Sequence, residues 1–366
     1  MPTYYAFSLS LAKASLLLLL LSSHVTAYEI FPGLTAKLAS KSALHEQMSL
    51  DSADCAKNGL AFGERCPESR FTDYITHARP PLSDSDWAMI AGVQWPDNPL
   101  RDATSKSQAS FLMQMARGCK NYQHETGGLL CKSHYFDLQF MHAMGSEAGV
   151  PARVTQTRLL EWLGFVYSLI LDPDRVNLTL GTLMAEHSYN SIQSAVAPPA
   201  TRDVNMSGMP ARQLFSYISA KRFIQNGHPD VNDHLREFLL GVMLHTIQDA
   251  YSVSHTQRDD GTTQTPTLIC GKISQFYTYH GQGKLHSKAD NAPEVDASCS
   301  TSSTVDDPIT AGARLIGMIN SGVSWDEVVR PYLATAVFPL ADHTSPSSPG
   351  WAKKRGFFGW LSSLFL

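Results

Sequence analysis

The stretch GVMLHTIQDAYSVSH, residues 241–255, places two histidines and an aspartate among apolar and small residues. It belongs to a longer apolar pattern of helical period, which predicts a helix over Asp233–Tyr251. Residues four apart share one face of a helix, so His245 and Asp249 are neighbours on it. This pair by itself is compatible with an ordinary packed contact. His255 joins the pair only if the chain bends back directly after the helix.

The same periodicity predicts helices along most of the chain. The other candidates are Ser107–Arg117, Arg153–Leu171, Leu180–Ser194, Ala211–Gln225, Ile309–Asn320 and Asp326–Ala336. No region alternates apolar and polar residues between turn signals, so we do not expect a core built on a sheet. Polar or proline-rich stretches separate the helices, and functional residues are common in such loops. We therefore predict an all-α fold, with a single multi-helix domain over residues 28–342 and long loops.

Composition excludes some classes of function. The chain has 366 residues and a formal net charge of -4, which gives no basic surface typical of nucleic-acid binding. Neither a glycine-rich phosphate loop nor a Gly-x-Ser-x-Gly nucleophile elbow occurs in the sequence.

The amino-terminal segment predicts export. Lys13 precedes the apolar run Ala14–Leu21, and the following segment SSHVTA has small residues at Val25 and Ala27. This pattern is typical of a secretory signal peptide over residues 1–27, with cleavage after Ala27, and the run is too short to span a bilayer comfortably. We expect a secreted protein.

Six cysteines fit an oxidising destination. None of them shows Cys-x-x-Cys spacing, which disfavours a thiolate zinc site or a redox motif. Many disulfide pairings remain open from sequence alone. Pairing between neighbours along the chain is the simplest of these: Cys55–Cys66, Cys119–Cys131 and Cys270–Cys299.

Histidine and carboxylate side chains that suit zinc occur at several other places. His286 and Asp290 repeat the four-residue spacing of His245 and Asp249. The remaining candidates are Asp97 in WPD, His134 in CKSHYFD and His45 in LHEQMS. Taken singly, each of these three residues has a simpler explanation than metal binding: Asp97 as a turn residue, His134 as a loop residue and His45 as a residue at the start of a helix. Their order and spacing together make them significant.

The set resembles the zinc-dependent phospholipase C and S1/P1 nuclease superfamily, whose members are secreted, all-α, multi-zinc phosphoesterases. The family motif His-x3-Asp-x5-His matches His245, Asp249 and His255 in both spacings. The other matches follow in the family order: His45, Asp97, His134, and His286 with Asp290. Bacterial zinc phospholipases C are the most similar in appearance.

The resemblance implies two or three zinc ions per chain. The first would be held by Asp97, His134, His245 and Asp249. The second would be held by His255, His286 and Asp290. The third would be bridged to the first through Asp249 and would use His45. Asp97 is also a candidate general base, and the reserve ligands are His124, His142 and His280.

The resemblance leaves the substrate open between two classes, because both use the same metals. We expect a phospholipase C that hydrolyses glycerophospholipids, such as phosphatidylcholine, to diacylglycerol and a phosphorylated head group at a membrane surface. The alternative is a single-strand nuclease or 3′-nucleotidase, for which Trp95, Tyr135 and Tyr279 would serve as stacking surfaces. A second alternative is a binding protein stabilised by zinc.

The carboxyl-terminal residues 343–366 favour the lipid substrate. Residues 351–366 are apolar and aromatic and include Lys353, Lys354 and Arg355, a composition typical of an interfacial anchor. The preceding His343–Gly350 is rich in serine and proline and suggests a flexible tether. The alternative is a tail that packs back onto the domain.

Overall fold

The structure, a computed structural model, describes residues 44–60, 63–66, 82–97, 129–186, 189–198, 205–216, 231–259, 269–280, 282, 299 and 304–349. Within these ranges the chain is mostly helical. In chain order the α-helices are α1 (Leu44–Lys57), α2 (Asp84–Gln94), α3 (Leu129–Tyr135), α4 (Ala152–Leu171), α5 (Leu180–Glu186), α6 (Gln193–Val196), α7 (Ala211–Ser216), α8 (Leu235–Asp249) and α9 (Pro308–Asn320).

Shorter elements complete the description. The 3-10 helices are Gln139–His142, Pro173–Asn177 and Val231–His234, and the last helical segment consists of π turns at Trp325–Val329 and Leu333–Val337 joined by Arg330–Tyr332. Strands β1 (Thr256–Asp259) and β2 (Lys272–Phe276) form one antiparallel pair. The prediction that helices, and not a sheet, build the core is confirmed for the described residues.

The helices that sequence periodicity predicted best are amphipathic or long. Helices α4, α8 and α9 lie within about two residues of their predicted bounds. The predicted helix Leu180–Ser194 is instead divided, since α5 ends at Glu186 and α6 begins at Gln193. The candidate Ser107–Arg117 lies outside the described residues.

Helices α1 and α2 escaped prediction for a physical reason. Helix α2 is buried continuously from Ala88 to Gln94, so no polar face marks its period. Helix α1 buries polar side chains, among them Glu46 and Ser49, which interrupt the apolar pattern. Neither helix therefore shows the separate apolar and polar faces from which a helical period is recognised in a sequence.

Helix α8 is the central element of the fold. Every residue from Phe238 to Asp249 is buried. It packs against α2 through two glycines: a Cβ at Gly92 would lie 1.8 Å from the Phe238 carbonyl oxygen, and one at Gly241 would lie 2.1 Å from the Met89 carbonyl oxygen. The two backbones are therefore in direct contact, which only glycine permits at these positions.

Trp95, which follows α2, is part of the aromatic core. Its ring centroid lies 6.4 Å from that of Trp162 and 5.1 Å from that of Phe215, and the side chain is 2% exposed. The prediction that Trp95 offers a stacking surface to a nucleotide base is therefore wrong, because the indole is used for packing.

Two of the predicted disulfides are confirmed. Cys55–Cys66 and Cys270–Cys299 are bonded, and Cys131 is also a disulfide cysteine. The third predicted pair involves Cys119, which lies outside the described residues. Such bonds indicate an oxidising compartment. Among the described residues, no helix is both long and apolar enough to cross a bilayer.

The segment after the last helix differs from the predicted flexible tether. The Ser345 amide donates to the Ser274 carbonyl at 2.8 Å, and the Ser347 amide donates to the Val150 carbonyl at 2.8 Å. The Thr278 amide donates to the Ser348 carbonyl at 3.1 Å. Backbone bonds therefore fix this segment to the body as far as Ser348. The predicted signal peptide and the tail, residues 351–366, lie outside the described residues.

Candidate metal centre

The predicted ligands that the structure describes lie in one buried cluster. His45 comes from the first turn of α1, Asp97 follows α2, and His134 lies on α3. His245 and Asp249 lie on α8, and His255 lies in the turn between α8 and β1. Five separate parts of the chain thus converge on one place. His124, His286 and Asp290 lie outside the described residues, and His280 is exposed.

Asp249 is the centre of the cluster, and its two carboxylate oxygens face different imidazoles. Oδ1 lies 3.3 Å from His45 Nε2. Oδ2 lies 2.9 Å from His142 Nδ1, 3.0 Å from His245 Nε2 and 3.7 Å from His255 Nδ1. This is the arrangement that a carboxylate needs to bridge two cations, one on each oxygen.

Asp97 supplies the second carboxylate of the same cluster. Its Oδ1 lies 3.8 Å from His134 Nε2, 3.8 Å from His142 Nδ1 and 3.9 Å from His245 Nε2. Three sets of side chains have ligand atoms within 4.8 Å of one another: His45–Asp97–His245, Asp97–His134–His142 and His142–His245–Asp249. Ligand atoms around one zinc lie roughly 3–4 Å apart, because each bond is about 2 Å long. The spacing of the cluster fits.

His142, only a reserve ligand in the sequence analysis, is a full member of the cluster. It contacts both carboxylates, and its Nδ1 also lies 3.1 Å from His245 Nε2. It ends the 3-10 helix Gln139–His142, and the next residue, Ala143, has a left-handed backbone with φ of 50°. A residue in this conformation directly beside a candidate ligand is typical of functional sites. The sequence offered only the nearness of His142 to His134 as a signal.

A hydrogen bond to the backbone determines which nitrogen the His255 imidazole presents to the cluster. His255 Nδ1 lies 2.6 Å from the His142 carbonyl oxygen. A carbonyl oxygen only accepts, so Nδ1 carries the proton and Nε2 is the nitrogen available to a metal. His255 belongs to none of the three sets above, and its predicted partners His286 and Asp290 lie outside the described residues.

The electrostatics favour the forms that bind metals. Burial lowers the pKa of His245 to about 3, although Asp249 opposes the shift, and burial also lowers the pKa of His255. Burial would raise the pKa of Asp249, but His245, His255 and the hydrogen bond from His142 together hold that pKa well below its usual range. The imidazoles of His245 and His255 are therefore neutral and the Asp249 carboxylate is ionised, as metal ligands must be.

The buried negative charge of Asp249 points to a cation. All the described ion-pair partners of its carboxylate are histidines, of which His245 and His255 are neutral. A buried carboxylate is costly unless positive charge compensates it. Nitrogen and oxygen donors in this mixture suit zinc, so the residues present fit the implied metal.

Two tyrosines lie beside the cluster. The Tyr279 ring makes T-shaped contacts with His134 and Tyr135, and the ring centroids are 5.4 Å and 5.0 Å apart. Burial raises the pKa of Tyr135 to about 12, and a hydrogen bond to Tyr279 opposes this. Tyr135 is half-buried and is the more accessible of the two.

No protein-family model, curated protein or solved structure matches this chain. The family resemblance therefore depends on the residues and spacings quoted above.

Proposed function

We propose that the protein is a zinc-dependent phosphoric ester hydrolase of the phospholipase C type. The observation that carries the proposal is the bridging geometry of Asp249, whose two oxygens face different histidines inside one buried cluster. A structural zinc site uses about four protein ligands around one ion. The donors around Asp97 and Asp249 exceed that number, so a catalytic centre with several metals is favoured over a zinc-stabilised binding protein.

When bound, the zinc ions supply Lewis acidity towards phosphate oxygens and activate water for attack. The protein's own residues supply the rest. Asp249 holds the histidines of α1 and α8 around one point, and burial keeps the His245 imidazole neutral. Asp97, whose Oδ1 faces three imidazoles, is the proposed ligand and proton acceptor on the other side of the cluster.

The choice of phospholipid as substrate depends on the sequence of the tail. Residues 351–366 combine tryptophan, phenylalanine and leucine with Lys353, Lys354 and Arg355. Aromatic side chains favour the headgroup region of a bilayer, and a basic cluster favours anionic lipid. The net charge of -4 offers no comparable attraction for a polynucleotide.

A single-strand nuclease is the second candidate, and one observation favours it. Tyr135 and Tyr279 lie against each other and next to the candidate ligand His134. Aromatic rings beside a metal centre can stack on unpaired bases. Tyr279 is largely buried, so Tyr135 would carry this role.

One experiment addresses both candidates. The purified protein is assayed on phosphatidylcholine and on single-stranded DNA, together with a count of bound zinc. His245→Ala and Asp249→Asn should abolish hydrolysis while leaving a folded protein, and Asp249→Asn should lose more zinc because a bridging ligand serves two ions. The control is His280→Ala, an exposed histidine outside the cluster. Full activity after removal of zinc would refute the proposal, and cleavage of DNA alone would select the nuclease.

The role of the tail is tested by deleting residues 351–366. We expect weaker hydrolysis of phospholipid in bilayers and nearly unchanged hydrolysis of a soluble short-chain phospholipid, because the tail acts at the interface. Equal loss on both substrates together with a lower melting temperature would show that the tail packs on the domain. Unchanged activity on bilayers would remove the main reason for preferring lipid to nucleic acid.

A further inference from the structure

Gln248 lies next to Asp249 on α8 and is fully buried. Both the oxygen and the nitrogen of its side-chain amide form hydrogen bonds. Oε1 lies 2.7 Å from His45 Nδ1, and Nε2 donates to the Ser49 hydroxyl at 2.8 Å. His45 and Ser49 are one turn apart on α1, so a single amide joins two points of α1 to the helix that carries Asp249.

This contact determines which nitrogen of His45 is available as a ligand. An amide oxygen accepts hydrogen bonds and cannot donate them, so His45 Nδ1 must carry the proton. The lone pair of that imidazole is then on Nε2, the atom that lies 3.3 Å from Asp249 Oδ1. The bond from Gln248 to Ser49 keeps the amide from turning its NH₂ group towards His45.

We propose that Gln248 is a positioning residue of the metal centre, which fixes the tautomer and the ring orientation of His45. The inference rests on the proposed function, because it assumes that the cluster holds metal. Gln248 itself touches neither metal nor substrate. Partners of this kind, one shell outside the ligands, typically change metal affinity by about 10–100-fold when they are removed.

The test compares two substitutions of the same residue. Gln248→Met keeps the length of the side chain but removes the acceptor, whereas Gln248→Glu keeps an oxygen that accepts from His45. The metal-free proteins are titrated with Co²⁺, whose absorption spectrum reports the ligands, and with Zn²⁺. The ¹⁵N shifts of His45 report its tautomer before any metal is added.

The matched control is Gln156→Met on α4. Gln156 is also a buried glutamine, and its amide donates to the Phe338 carbonyl at 2.7 Å, with no candidate ligand involved. This variant should lose stability without losing metal affinity. It therefore separates the effect on the metal from the general cost of removing a buried amide.

We expect Gln248→Met to bind one metal ion about 10–100-fold more weakly than the wild type, with the Nδ1–H tautomer of His45 no longer dominant. Gln248→Glu should restore both properties. Equal metal affinity in the wild type and Gln248→Met, or equal losses in Gln248→Met and Gln248→Glu, would overturn the inference and leave the proposed function intact. A wild-type protein that binds neither Co²⁺ nor Zn²⁺ would overturn both.

Discussion

Replacing Gly241 by alanine should separate α2 from α8 and displace a candidate ligand. The added Cβ would lie 2.1 Å from the Met89 carbonyl oxygen and 2.7 Å from the Val93 amide nitrogen. Both are backbone atoms of a helix and cannot rotate away. Ordinary contact begins at 3.4 Å, so the oxygen and the Cβ must move apart by 3.4 − 2.1 = 1.3 Å.

The cost follows from two opposing effects. Overpacking of a rigid core typically costs about 1–3 kcal/mol. A clash between two backbones lies at the upper end of this range, at about 3 kcal/mol, because neither side can rotate away. Alanine regains about 1 kcal/mol in helix propensity relative to glycine. We therefore expect a net loss of about 2 kcal/mol, which is a fall in melting temperature of roughly 3 °C for a protein of this size. Asp97 lies three residues after the end of α2, so a displacement of that helix by about 1 Å is expected to cost about 100-fold in activity as well.

Thermal unfolding and zinc titration of the same samples measure both effects. The matched control is Gly317→Ala on α9, where an added Cβ meets no atom within 4 Å. That variant should gain up to about 1 kcal/mol and bind zinc normally. If Gly241→Ala were as stable as Gly317→Ala, the proposed contact between α2 and α8 would be refuted. If both variants were as stable as the wild type, the packing of the helices would not require glycine at position 241 or at position 317.

Three further outcomes are expected. The metal-free protein should lose stability as pH falls below about 6.5, because burial lowers the folded pKa values of His245 and His255 and the unfolded chain takes up protons first. For His245, whose folded pKa is about 3, the loss should continue down to about that pH. Urea unfolding should show a slope of up to about 1.4 kcal/mol per pH unit for each histidine, and a flat profile would contradict the prediction. His142→Ala should lower zinc affinity as strongly as His245→Ala. A zinc titration of His142→Ala identical to that of the wild type would show that His142 only packs against the cluster and does not bind the metal. His286→Ala and Asp290→Ala should each lower the zinc content by about one ion per chain, as measured by metal analysis, and an unchanged count would show that the second site was assigned to the wrong residues.

Local sequence was sufficient wherever the determining contacts are local. The period of apolar residues located α8, and the four-residue spacing of His245 and Asp249 placed both on one face, where they lie 3.0 Å apart. Disulfides between neighbouring cysteines, such as Cys55–Cys66, were also predictable, because the loop between them is short. These features involve atoms that a few residues of chain bring together.

The composition of the cluster depended on the tertiary structure. Sequence spacing could not choose between His134 and His142, and only the packed structure shows that both face Asp97. Gln248 contacts His45 across 203 residues of sequence, a distance at which no periodic pattern holds information. The sequence determined which residues could bind a metal. The close approach of α2 to α8 decided which of these residues meet, because side chains on different helices come together only when the helices pack.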